Sequence, residues 1–316
     1  MKANRAARHH QDDDAGPEVV GALILFGIFV TTIALLNLTA VPQAGLAAED
    51  DHYNGVLAAL NGLQTEAEAG ALPTSLGATV SHSIDLGPAA FVPKDFFSYF
   101  MATPARASGE LSLVVDHGNL TVTHYRAGNP NAVVDVGNAG AQFPYGELQF
   151  DPHPNFRPAG VVAFEDGGII TTDSQGGTQV MRFAPPITVT STGGIIDVGI
   201  RARVLNGTDF DVGGVAPVRV GLVTEAATLT SPASANARNV TLRLETAYGT
   251  AWGAYLNQTS DAAGLSRAAG QYSTTVLRGQ SGALDVVTWT VEGPLSTNTN
   301  DVRLTTGLGV FGVSVS

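Results

Sequence analysis

Val19-Val20-Gly21-Ala22-Leu23-Ile24-Leu25-Phe26-Gly27-Ile28-Phe29-Val30-Thr31-Thr32-Ile33-Ala34-Leu35-Leu36 decides the architecture. These 18 residues carry no charge, and two threonines are their only polar side chains. Continued to Val41, the run reaches 23 residues, or about 35 Å at the 1.5 Å rise of an α-helix, enough to cross a hydrocarbon layer about 30 Å thick. The reading is a transmembrane helix over 19–41. A cleaved secretory signal peptide is the rival, with Gly45-Leu46-Ala47 as the small residues before the cut; its apolar region runs to about 7–15 residues and falls short of this one.

On the N-terminal side, residues 1–18 form a short leader that contains Lys2, Arg5 and Arg8, whereas Glu49-Asp50-Asp51 is the first charged group after the span. Basic flanks stay in the cytoplasm, and the acidic Asp12-Asp13-Asp14 and Glu18 count little in that rule. The expectation is a single-pass protein of the cell membrane, N-terminus inside and C-terminal domain extracellular, with membrane lipid as its first partner. The whole chain has 16 basic and 28 acidic residues, a formal charge of −12. That balance argues against nucleic acid as a partner and favours hydration and mutual repulsion of an exterior surface. Cysteine is absent, which excludes disulfides, thiolate metal sites and a cysteine nucleophile.

On the C-terminal side, residues 42–72 read as an amphipathic helical stalk. Leu46, Tyr53, Val56, Leu57, Leu60, Leu63 and Ala67 share one helical face, and Glu49, Asp50, Asn54, Asn61, Gln64, Glu66 and Glu68 are assigned to water. Pro42 is expected to kink the helix or to begin a second one, and Gly70 and Pro73 to stop it.

Residues 73–316 read as a β-rich extracellular domain. Leu111–Val115 and Leu120–His124 flank the polar link Asp116-His117-Gly118-Asn119 and predict a hairpin. Further strands are expected over 79–86, 132–136, 161–164, 179–183, 187–190, 195–205, 218–224, 239–245, 272–277, 283–291, 302–305 and 310–315, with helices at 94–101 and 250–257. Roughly thirteen short strands between turn signals imply a sandwich or two packed sheets. The fold class is therefore mainly β with a long N-terminal α-helix.

Gly16-Pro17-Glu18-Val19-Val20-Gly21 ahead of the apolar run resembles the N-terminus of archaeal type IV pilin-like proteins. Phe164-Glu165-Asp166-Gly167-Gly168-Ile169-Ile170, Pro185-Pro186 and Ala251-Trp252 are similar to segments of pilin-like surface proteins of halophilic archaea. The resemblance implies that a peptidase removes the leader at Gly16, that apolar helices pack into a filament core, and that β-rich domains form its outer surface. It also implies a role for Glu18, whose carboxylate neutralises the new amine of a neighbouring subunit. Pro17, just after the expected cut, departs from the pattern.

Four sequons lie beyond the span, at Asn119, Asn206, Asn239 and Asn257, and are candidates for glycosylation on an exterior surface. Catalytic patterns are sparse. Ser81, His82, Ser83 and Asp85 have triad chemistry but alternate faces on one strand, so they read as a polar strand. His117 and His124 flank the expected hairpin without a third metal ligand. Asn206, Thr208, Asp209 and Asp211 read as a solvated turn rather than a calcium loop, and Glu165-Asp166-Gly167-Gly168 reads as a hairpin turn before it reads as a pair of hydrolytic carboxylates. No cofactor is indicated, and the chain is not expected to be an enzyme. The expected function is a pilin-like structural or adhesive surface component, with pilin-like subunits or cell-surface glycans as partners. The alternatives are a monomeric anchored module that binds a glycan or solute and, behind it, an anchored hydrolase.

Overall fold

The structure, a computed structural model, describes residues 15–71, 73–88, 106–126, 129–133, 143–173, 177–230, 237–279, 283–293 and 302–316. Its first element, α1 (Ala15–Gly70), is one helix of 56 residues that continues through Pro42. The expected second helix does not begin there. From residue 18 to residue 40 the side chains of α1 are largely exposed, and none of its most apolar 18-residue window, of mean hydropathy 2.7, is buried. The few polar groups in this half turn back on the helix: Thr31, Thr32 and Thr39 donate to the carbonyls of Gly27, Ile28 and Leu35 at 2.7–2.8 Å. Such internal satisfaction is what an apolar solvent demands.

Past Val41 the same helix becomes core. Val41, Gly45, Glu49, Tyr53, Val56, Leu60, Leu63, Gln64 and Ala67 are buried, at spacings of three and four that define one continuous stripe. Leu46, expected on this face, is exposed, and Gly45 takes the contact by letting the ring of Phe156 lie against the helix backbone. Glu49 and Gln64, assigned to water from the sequence, are enclosed because each binds backbone groups of the domain.

After a 3₁₀ turn at Pro73–Ser75 the chain runs through β1 (Thr79–Asp85), β2 (Ser108–Arg126), β3 (Asn129–Val133), β4 (Phe143–His153), β5 (Val162–Glu165), β6 (Gly168–Thr172), β7 (Gln179–Phe183) and β8 (Ile187–Thr192). It continues through β9 (Ile195–Asn206), β10 (Phe210–Gly214), β11 (Pro217–Thr230), β12 (Ala237–Thr246), α2 (Gly249–Ala262), β13 (Tyr272–Leu277), β14 (Asp285–Glu292) and β15 (Val302–Val315). Two curled sheets result. One has the order β1-β11-β15-β9-β8, and the other β13-β14-β12-β2-β4-β5-β6-β7, with β3 and β10 also paired to β2. They meet at Ala237 and Val302. Pairing is antiparallel except for β15 and β9, which run parallel from Val302 opposite Ile196 to Gly312 opposite Asn206.

Two hydrophobic clusters fill the domain. One sets Leu242, Leu244 and Trp289 against Val198 and Ile200, closed at one end by Trp252 and Leu256 of α2. The other surrounds Val56, Leu60 and Leu63 of α1 with Ile84, Phe150, Phe164 and Val220. Leu60 is 0% exposed and Leu57 is half-buried beside it. The stalk is thus an internal element of the head, and each fully buried leucine contributes about 1.5–3 kcal/mol of transfer free energy.

The expected hairpin over 111–124 is instead the single bulged strand β2. Val114 faces Glu147 and Gly118 faces Tyr145, with an irregularity between them, and Asp116 has φ 56°. The polar link twists the strand without reversing it, so its first half pairs with β10 and its second with β12, while β4 flanks both. Gly118 is required there, because a Cβ would lie 2.1 Å from the Glu245 carbonyl oxygen. Segments 302–305 and 310–315 join as β15 through Gly307 and Gly309. Strand β4 had no sequence signal, since Pro144, Gly146 and Pro152 interrupt its pattern. The expected helix at 94–101 and the end of the strand at 132–136 lie outside the described residues; the helix at 250–257 is α2.

Candidate functional site

The strongest concentration of polar chemistry lies inside the head. Glu147 and Glu165 are register partners across β4 and β5, so both side chains leave the same face. They are 1% and 0% exposed. β5 turns into β6 through Asp166 and Gly167, both at positive φ, 45° and 79°, as a two-residue type I′ hairpin requires. The sequence reading of 165–168 as a turn is correct; that its first carboxylate faces Glu147 depends on β4.

Hydrogen-bond partners from three elements converge on Glu165. Tyr145 Oη lies 2.7 Å from its Oε1, and Thr246 Oγ1 and Trp252 Nε1 donate to its Oε2 at 2.8 and 2.9 Å. Tyr145 Oη also contacts the Glu245 carbonyl oxygen. Glu147 accepts from the Tyr248 hydroxyl on Oε1 and pairs with His117 Nε2 on Oε2 at 2.8 Å. Burial, reinforced by the charge of Glu147, raises the Glu165 carboxyl from its ordinary value to about 7 against the pull of its three hydrogen bonds. Burial also works against the His117 cation, yet its hydrogen bond and attraction to Glu147 win and raise its pKa. Tyr145 and Tyr248 are raised by burial and by the neighbouring carboxylates, so both stay phenolic.

Asp166 points away from this pair. Its Oδ1 accepts the backbone N–H of Arg203 at 2.9 Å, and burial lifts its pKa to about 7, opposed by that bond and by the Arg203 charge. Beside it, Gln64 of α1 donates to the carbonyls of Gly167 and Ala184, each at 2.7 Å. The stalk helix is therefore bolted to the turn that carries the acids. A second bolt lies nearer the bare half of α1, where the Glu49 carboxylate accepts the backbone N–H groups of Asn155, Phe156 and Arg157 at 2.7–3.0 Å. Arg157 also pairs with Asp50 at 3.2 Å and stacks 3.4 Å from the Tyr53 ring centroid.

The residues singled out from sequence fall elsewhere. Gly16, Pro17 and Glu18 lie in the first turn of α1, where backbone N–H groups have no intrahelical acceptor and proline is tolerated. Of the sequons, Asn206 is exposed at the end of β9, its amide 3.0 Å from Glu225. Asn119 sits within β2 and donates to Glu245, whereas Asn239 in β12 and Asn257 in α2 bury their amide oxygens. His82 faces Glu66 of α1 at 3.0 Å, opposite in direction to exposed Ser81, Ser83 and Asp85, so these residues form a polar strand. His117 and His124 lie on one strand rather than across a hairpin. Asp209 spends an oxygen on the Val115 N–H at 2.7 Å, which makes its loop a brace for the β2 bulge. Among the described residues, no group of three or more His, Asp or Glu side chains is placed to hold a metal ion.

Sequence reasoning missed Tyr145, Glu147, Thr246 and Tyr248. The available signal was the acidic and aromatic content of Phe143–His153, hidden by its prolines. The chain matches no protein-family model, no curated protein and no solved structure. Its arrangement of enclosed acids, phenols and one partly open histidine, the last 18% exposed, is suited to holding protons.

Proposed function

We propose that this chain is a pilin-like, membrane-anchored surface protein whose helix carries a β head away from the membrane as a structural or adhesive component. One observation supports the reading above all: a single helix is bare and apolar in its first half and core in its second. Load on the head then passes into the anchor through buried side chains and the Glu49 and Gln64 bonds, with no flexible linker between. The bare half requires an apolar surround, either lipid or the helices of neighbouring copies. Lys2, Arg5 and Arg8 favour a cytoplasmic N-terminus. Retention of the helix is favoured over cleavage after Ala47, because a cut there would strip Val41 and Gly45 from the packed stripe.

Glu18 separates a filament from a lone anchor. In a filament core a carboxylate paired with a neighbour's amine has no equivalent in Glu18→Gln, and removing one partner of a buried pair costs about 3–5 kcal/mol. At a wet interface the same change removes a helix-terminus interaction of about 0.3–1 kcal/mol. Sedimentation of gently solubilised envelope protein should show large assemblies for the wild type and small particles for Glu18→Gln. Identical small particles from both would reject the filament.

A further inference from the structure

We propose that the corner between β4, the β5–β6 turn and α2 is a proton-operated lock, held closed by a neutral Glu165 that carries its proton on Oε1. The hydrogen-bond count requires this assignment. Tyr145 Oη has one hydrogen and faces two acceptors, Glu165 Oε1 and the Glu245 carbonyl. Glu165 Oε2 already receives two hydrogens, from Thr246 and Trp252. If Oε1–H donates to Tyr145 and Tyr145 donates to Glu245, every atom of the chain Glu165–Tyr145–Glu245 is satisfied. An ionised Glu165 leaves two acceptors competing for one phenolic hydrogen, and places its charge directly opposite Glu147 in register, where like charges repel.

The charges facing Glu165 from each packed element are consistent with the assignment. Glu147 on β4 is the carboxylate of the pair, neutralised by His117 from the β2 bulge and bonded by Tyr248 ahead of α2. Asp166 turns to Arg203 on β9, and Glu245 on β12 aims its carboxylate at Arg243 and Asn119. Among the described residues no cation bonds to Glu165 itself, and His117, bonded to Glu147, acts on it only through its charge. Its raised pKa, about 7, puts the change within the ordinary pH range. Loss of the proton removes the Oε1–H bond to Tyr145 and sets two carboxylates opposite each other across β4 and β5, which loosens that strand pair and the turn that Gln64 ties to the stalk. His117, partly open to solvent, gives Glu147 a partner that reaches the surface.

The test compares the full chain in detergent micelles with Glu165→Gln, whose amide reproduces the neutral acid. Infrared spectra across about pH 5 to 8.5 should show a protonated-carboxyl band in the wild type that fades with a midpoint near neutrality, part of which is missing in Glu165→Gln. Amide exchange of β5 and the β5–β6 turn, compared between the two proteins at equal pH, should match near pH 5 and be at least about tenfold faster in the wild type near pH 8.5. Equal exchange of β5 and its turn in the two proteins at both pH values would overturn the lock. If Glu165→Gln does not fold, Asp166→Asn takes its place, because Asp166 is itself raised to about 7: absence of a protonated-carboxyl band above about pH 5.5 in that variant overturns the proposal, and a band that fades in step with faster β5 exchange upholds it.

Discussion

Glu49 and Glu165 show two ways in which a carboxylate survives enclosure. Glu49 accepts three backbone N–H groups of a distant loop, whereas Glu165 stands opposite another acid. Glu49→Ala should therefore destabilise the head by about 1–3 kcal/mol, through backbone donors of 155–157 left without an acceptor; denaturant unfolding of the micelle-bound chain checks this. For Glu165 the sign runs the other way from a salt-bridged acid. Its folded pKa, about 7, lies above the unfolded 4.5, so the folded state binds the extra proton. Its contribution is complete below about pH 4.5, is lost as pH rises through 7, and amounts to something on the order of 3 kcal/mol. Asp166 and His117, both raised, act in the same direction. Stability measured at pH 5.5 should exceed that at pH 8 by an amount that shrinks in Glu165→Gln.

At the scale of elements, α1 and β2 each perform two tasks by changing partners part-way along. The stripe Val56, Leu60, Leu63 and Ala67 makes the second half of α1 a core helix. Leu60→Ala should cost about 2–5 kcal/mol, while Asn54→Ala, on the exposed face, should change unfolding by less than about 0.5 kcal/mol. Strand β2 switches neighbours at its bulge, and the tolerance there is set by Gly118. Gly118→Ala brings a methyl against the Glu245 carbonyl, a group that cannot move without disturbing the Tyr145 bond; an overpacking loss of about 1–3 kcal/mol is expected in thermal or denaturant melts.

For the whole molecule, the division between the bare apolar segment and the packed head falls within one helix. A chain starting at residue 41 should be soluble and folded, since the side chains of 18–40 are largely exposed and the head's core begins at Val41. A chain starting at residue 72 should fail to fold, because it lacks the central residues of the second core cluster; circular dichroism and size-exclusion behaviour distinguish the outcomes. Should the head face the exterior as proposed, glycan is expected at Asn206, the exposed sequon, in preference to Asn239 or Asn257. Intact mass of Asn206→Gln protein from its own envelope then reports the loss.

The sequence by itself determined the long apolar helix, the β class and several local elements. The apolar run fixes a bare helix because its length and lack of charge need no tertiary partner, and β7, β13, α2 and the Asp166-Gly167 turn follow from local periodicity and backbone preference. Tertiary structure alone decided where the stalk went and what the acids became. Glu49 and Gln64 look like solvent-facing residues until loops distant in sequence supply their backbone partners. The 111–124 segment has the residues of a hairpin, yet three flanking strands hold it straight. The acid corner draws on residues from His117 to Trp252, and its chemistry depends on the opposition of Glu147 to Glu165, which is a property of register. Register is set by pairing across the whole sheet, and no window of sequence around either glutamate contains it.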